Sequence, residues 1–184
     1  MAWTRHDIER LFYSSETVTG GGRGPRGLWP ESYEELARFL NDGWIIAEVS
    51  PYVATAPTEP LYTETYDRLM RTIGNESRAH KQLKWEAWIW LRQEGDPWPQ
   101  FELSTIFGRA DVASVSLEIA AECGDTSPDK VADALAHGWK ALTLWPFDQA
   151  AFFIFRLSKI GAVELLKFFE QRLFEDNAAA EIGL

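Results

Sequence analysis

FDQAAFFIFRLSKI, residues 147–160, is the stretch on which the fold turns. Its Phe152-Phe153-Ile154-Phe155 run has the aromatic and β-branched make-up of a strand. Alanines precede that run, however, and 14 residues without a glycine or proline suit a buried helix that is apolar almost all round. The helical reading is adopted. Gly161 then separates it from a last helix, in which Ala162, Leu166, Phe169 and Leu173 recur at i, i+4, i+7 and i+11. From Asp176 the tail DNAAAEIGL reads as a frayed end.

Working outward, Ser127-Pro128-Asp129 is a helix N-terminus, and Val131, Leu135, Leu142 and Trp145 line one side of the helix it opens. Before it, Asp111 caps a helix in which Val112, Val115, Ile119 and Cys123 share a side. Cys123 reads there as a small buried apolar residue. A short helix is expected over about Gln100–Phe107. HKQLKWEAWIWL, residues 80–91, places Trp85, Trp88 and Trp90 on a helix that keeps only Gln82, Glu86 and Gln93 for a polar side, so it must be covered on most sides. Tyr62, Tyr66, Leu69 and Ile73 mark the helix ahead of it, behind Pro60 and stopped by Gly74.

The N-terminal third is less regular. Thr4 caps a helix over Arg5–Phe12, and Ser32 with Glu35 makes a capping box for a helix over Tyr33–Asn41. SSETVTGGGRGPRG, residues 14–27, is glycine-rich loop. WIIAEVS, residues 44–50, is a strand whose sole available partner is Glu16–Thr19. The expected fold is mainly α: a helical bundle or a short array of αα-hairpins, with at most a two-stranded ribbon. Residues 1–60 form an irregular region packed on a helical domain of residues 61–176, with 177–184 as a tail.

One part of the helical half resembles a known repeat. ALAHGWKALTLWPFDQAAFFIF resembles the junction between successive tetratricopeptide (TPR) repeats. Ala134 and Ala141 fall where the second helix takes small residues, Leu142 and Pro146 match its end, and Phe152 falls where the next repeat has its tryptophan. Arg156 stands where a small residue is usual. The glycines Gly95, Gly124 and Gly161 are 29 and 37 residues apart, against roughly 34 in the family. The likeness covers about residues 128–175 and implies a concave protein-binding surface without chemistry of its own.

Composition bounds function. The chain has 184 residues, one cysteine and no apolar run long enough to span a membrane. A reducing cytoplasm is expected. The net charge of −10 is uneven: residues 1–93 hold 11 basic and 13 acidic groups, residues 94–184 hold 7 and 15. The acidic half repels phosphate backbones, so no nucleic-acid partner is expected.

Motifs that carry chemistry are sparse. Gly22-Arg23-Gly24-Pro25-Arg26-Gly27 satisfies the G-x-G-x-x-G spacing, but no apolar strand precedes it and the next helix starts late, so it lacks the setting for a pyrophosphate. Arg23 and Arg26 are read instead as groups that meet a carboxylate or phosphate on a partner. Trp29, Trp98 and Trp145 each adjoin a proline in a connection, and with Phe152 they are candidate anchors at an interface. Glu76 and His80 are i, i+4 on a helix, and with Tyr66 they are the one candidate pocket. No cofactor or metal is called for, because no recognised ligand spacing is present.

The leading expectation is a cytoplasmic, non-catalytic adaptor that docks another protein on helix faces and Trp-Pro corners. An acidic inhibitor or immunity-type protein masking a basic partner is the alternative. A small enzyme with its pocket near His80 is the third.

Overall fold

In the computed structural model, which describes residues 2–12, 30–51, 60–72, 74–105, 108–147 and 151–182, six strands form one mixed sheet. The helices are α1 (Arg5–Phe12), α2 (Pro30–Asn41), α3 (Pro60–Arg71), α4 (Arg78–Gln93), α5 (Pro128–Ala136) and α6 (Gly161–Ile182). The strands are β1 (Ile45–Pro51), β2 (Gln100–Thr105), β3 (Gly108–Ser114), β4 (Ile119–Cys123), β5 (Ala141–Trp145) and β6 (Ala151–Leu157). Their order is β1-β6-β5-β4-β3-β2. Only β4 and β5 run parallel, and α5 is the crossover between them. The other neighbours are antiparallel.

Two apolar cores sit on opposite faces of this sheet. On one, Leu83, Trp85, Trp88 and Leu91 of α4 pack with Leu69 of α3 over Val112, Ala121, Cys123, Trp145 and Phe152. On the other, Ile8, Phe12, Leu36, Phe39, Leu135 and Leu165 cover Ala113, Ala120, Leu142, Leu144, Phe153 and Phe155. The covered sides of the tryptophan helix are therefore supplied by a sheet.

This corrects the mainly α expectation and the helical-repeat array with it. The stretch 147–160 contributes β6, in which Phe152 and Ile154 face α4 while Phe153 and Phe155 face the other helices. A strand buried on both faces shows no alternation in its sequence, so it mimics a buried helix. The same applies to β4 and β5, where all five residues of each are buried. The segment carrying the TPR likeness runs α5, β5, β6, α6, and Ala141, Leu142, Phe152 and Arg156 stand on strands. Of the expected short helix at Gln100–Phe107, Gln100–Thr105 is β2 and the last two residues lie outside the described residues, and the helix expected from Asp111 is β3 and β4. Strand β1 stands where the sequence placed it, but its neighbour is β6; the expected partner, Glu16–Thr19, lies outside the described residues. Residues 176–182 continue α6 instead of fraying.

Candidate active site

Residue Lys84 is the centre of the site. It projects from the middle of α4, a helix fixed at its start by Ser77, whose Oγ accepts from His80 N at 3.1 Å. Its side chain is 1% exposed, yet the ammonium is not among hydrocarbons alone. Carboxylates converge on it from three elements: Glu76 from the approach to α4, Glu102 from β2 and Asp111, 3.6 Å away, from β3. An ammonium taken out of water needs such partners.

Two layers surround it. Asp111 Oδ2 accepts the Cys123 backbone N–H at 2.8 Å, and its Oδ1 lies 3.3 Å from His80 Nε2. Burial pushes the Asp111 carboxyl up, but the His80 and Cys123 hydrogen bonds and the Lys84 charge outweigh it and hold it below its usual value. Nε2 of His80 is also 3.9 Å from Glu76. On the outer side, Arg109 Nε lies 2.7 Å from Glu102 Oε2. Glu102 has φ 54°, in the left-handed region that favours glycine. That backbone lets Phe101 and Glu102, neighbours on one strand, both reach α4: Phe101 stacks on Trp88 at 6.1 Å while Glu102 meets Lys84.

Beside this cluster opens a cleft of about 1000 Å³. Lys84, Glu76 and Glu102 line it, with Arg68, Lys81 and Arg109 as further cations and Trp88, Trp98 and Phe101 as aromatic walls. Four cations against two carboxylates make it locally positive in a chain of net charge −10. Lys81 is held by Thr72 O at 2.6 Å, so it stiffens the α3–α4 connection. Arg92 lies under Trp98, 5.8 Å from the ring centroid, and 5.5 Å from that of Trp88. No family model, curated protein or solved structure matches this chain.

The sequence candidates are scattered. Glu76 lines the cleft, and His80 stands behind it against Asp111. Tyr66 is apart from them, packed on Trp85 at 5.2 Å and donating to Gln82 Oε1 at 3.4 Å. Trp98 is 63% exposed at the lip of the cleft. Trp145 and Phe152 are 0% and 1% exposed and stack on each other at 4.0 Å, so neither offers a surface to a partner. Arg23, Arg26 and Trp29 lie outside the described residues.

Sequence reasoning missed Lys84, Glu102, Asp111 and Arg109. The available signal was a lysine at i+4 from His80 on a helix that otherwise calls for cover on most sides, next to Trp85 and Trp88. Among the described residues, no group of three or more histidines, cysteines, aspartates or glutamates is arranged to hold a metal ion, and no helix is long and apolar enough to cross a membrane.

Proposed function

We propose that the chain is a small enzyme whose cleft hydrolyses a phosphate ester carrying a planar ring. The observation that carries this is Lys84: a fully buried cation on the floor of an open cleft, tied to carboxylates from three elements, one on left-handed backbone. Buried ion pairs of this kind contribute little net stability, and backbone strain gathers at functional sites.

The chemistry follows from what faces the cleft. Glu76 and Glu102 are the acid–base groups, and Lys84 stabilises negative charge that develops in the transition state. Asp111 and His80 act through them as positioning residues, by holding Lys84 and Glu76. Arg68 and Arg109 at the rim favour an anion, while Trp88, Trp98 and Phe101 offer flat apolar surface to a ring.

The test is hydrolysis of a panel of aryl and nucleoside phosphate esters, with and without Mg²⁺. Glu76→Gln is expected to lower kcat by about 100-fold or more with the fold intact. Absence of both turnover and binding across the panel would sink the proposal. The adaptor reading retains one support, exposed Trp98. On that reading Trp98→Ala abolishes association with a protein and leaves no turnover to measure.

A further inference from the structure

The cleft runs along α4, and that helix measures it. Lys84, Trp88 and Arg92 follow one another at i, i+4 and i+8, so they climb one side of the helix. Lys84 and Trp88 line the cleft, and Arg92 lies against the ring of Trp98 at its lip. Lys84 and Arg92 are therefore about 12 Å apart along the helix axis. The two ends differ in chemistry. At the Lys84 end, Glu102 ties in the exposed cation Arg109, which also lines the cleft. At the Arg92 end stands an aromatic ring.

That ring is open although the backbone that carries it is fixed. Asp96, 6% exposed, accepts the Trp98 N–H through Oδ1 at 2.8 Å. Arg92 donates to Pro97 O, and Trp88 Nε1 donates to Pro99 O at 2.9 Å. The flanking prolines, Pro97 and Pro99, fix φ on both sides of Trp98. The corner is thus anchored through its neighbours, while the Trp98 ring itself stays exposed above Arg92. Trp88 shows the cleft no more than an edge: it is 2% exposed and lies near-parallel to Trp85 at 5.3 Å and to Phe101 at 6.1 Å. A flat side chain held in place but left uncovered stacks on a planar ring with little further loss of freedom.

We propose that Trp98 is the specificity-determining residue of the cleft and that the substrate class is a nucleoside phosphate, its base stacked on Trp98 and its phosphate at Lys84 and Arg109. This rests on the phosphate-ester reading of the cleft. The spacing decides between ring-bearing esters. In an aryl phosphate a single oxygen joins phosphorus to the ring, so stacking on Trp98 leaves the phosphate well short of Lys84. A ribose between base and phosphate supplies the missing span, and a second phosphate extends it.

The probes are glycerol phosphate, phenyl phosphate and adenosine mono- and diphosphate, followed by hydrolysis and by titration calorimetry. The unaltered chain is expected to favour the better adenosine phosphate over phenyl phosphate by about ten-fold or more in kcat/KM. Trp98→Ala removes that preference by raising KM about ten-fold while kcat stays within about two-fold. Trp98→Phe keeps most of it. Glycerol phosphate and phenyl phosphate are handled alike by all three chains. An equal loss on glycerol phosphate in Trp98→Ala, or phenyl phosphate matching the nucleotides in the unaltered chain, overturns the proposal. If no probe is hydrolysed, calorimetry decides. Adenosine phosphate binding that Trp98→Ala weakens keeps the subsite and removes the hydrolysis. Binding that the change leaves intact, or no binding, removes the subsite as well. Trp98 is exposed, so unchanged thermal unfolding is the check that each variant is folded.

Discussion

Two glutamates share one backbone conformation and should respond oppositely to the same substitution. Glu102 and Glu118 have φ 54° and 57°, and an L side chain there costs about 1–2 kcal/mol. Glu118 ends the turn between β3 and β4, and its partner Lys140 is an exposed side chain, so the ion pair adds little. Glu118→Gly should raise unfolding free energy by about 0.5–1 kcal/mol. Glu102→Gly relieves the same strain but takes one of three carboxylates from a buried ammonium. The expected net loss is about 2 kcal/mol, since unpairing a buried charge costs more than the strain. Urea titration of both variants checks the pair. Equal signs would mean that Glu102 is an ordinary turn-type residue and the Lys84 cluster is not under tension.

Elements whose surroundings are one-sided were legible in the sequence, and elements enclosed on both sides were not. Helices α1, α2, α3 and α4 fall close to where their caps and stripes put them, because each buries a single face or shows its ends. Helix α4 was also rightly read as covered, from tryptophans all round. The central strands failed because β4, IAAEC, and β5, ALTLW, bury every residue and use alanine, which suits a helix equally well. The cluster around Lys84 was illegible for a related reason. Its members come from the α4 approach, β2 and β3, so it exists only once the sheet is formed. Gly161 shows an element boundary that the sequence marked correctly for a reason it did not reveal. Beyond breaking a pattern, it lets the start of α6 press on the backbone just ahead of β1: an added Cβ would lie 1.8 Å from Trp44 O. The Ser158 N–H donates to that same oxygen at 2.9 Å, which leaves it little freedom to move. Gly161→Ala should therefore cost more than about 2 kcal/mol, a loss typical of overpacking against backbone. A melting temperature within error of the unaltered chain would refute the contact.

At the scale of the molecule, one side chain links the crossover helix to the cleft side of the sheet. Glu122 on β4 is 5% exposed and pairs with Lys130 of α5 at 2.6 Å, while Lys130 also donates to Arg109 O at 3.1 Å. Burial, opposed in part by Lys130 and assisted by the Asp111 charge, pushes its carboxyl up to about 7 from 4.5. The folded chain thus holds a proton between pH 4.5 and 7 that the unfolded chain has released. Stability from this group is full below the lower value, falls as pH rises through the window and is gone above it, by about 3 kcal/mol in all. Asp111 works the other way. Its carboxyl is held below 3.8, so its contribution is present above that value and lost as pH falls through the lowered one. The fold should be most stable near pH 4, between 3.8 and 4.5, where both contributions are largely present. A chain of net charge −10 also sheds self-repulsion on acidification, which moves stability in the same direction as Glu122. Salt separates the two causes, since it screens exposed charges and leaves a buried carboxyl largely untouched. Urea unfolding at pH 5 and pH 8 in high salt should still show the fall in the unaltered chain. In Glu122→Gln, which cannot titrate, it should flatten. A slope that salt abolishes, or that Glu122→Gln retains, would assign the pH dependence to net charge and remove Glu122 from it.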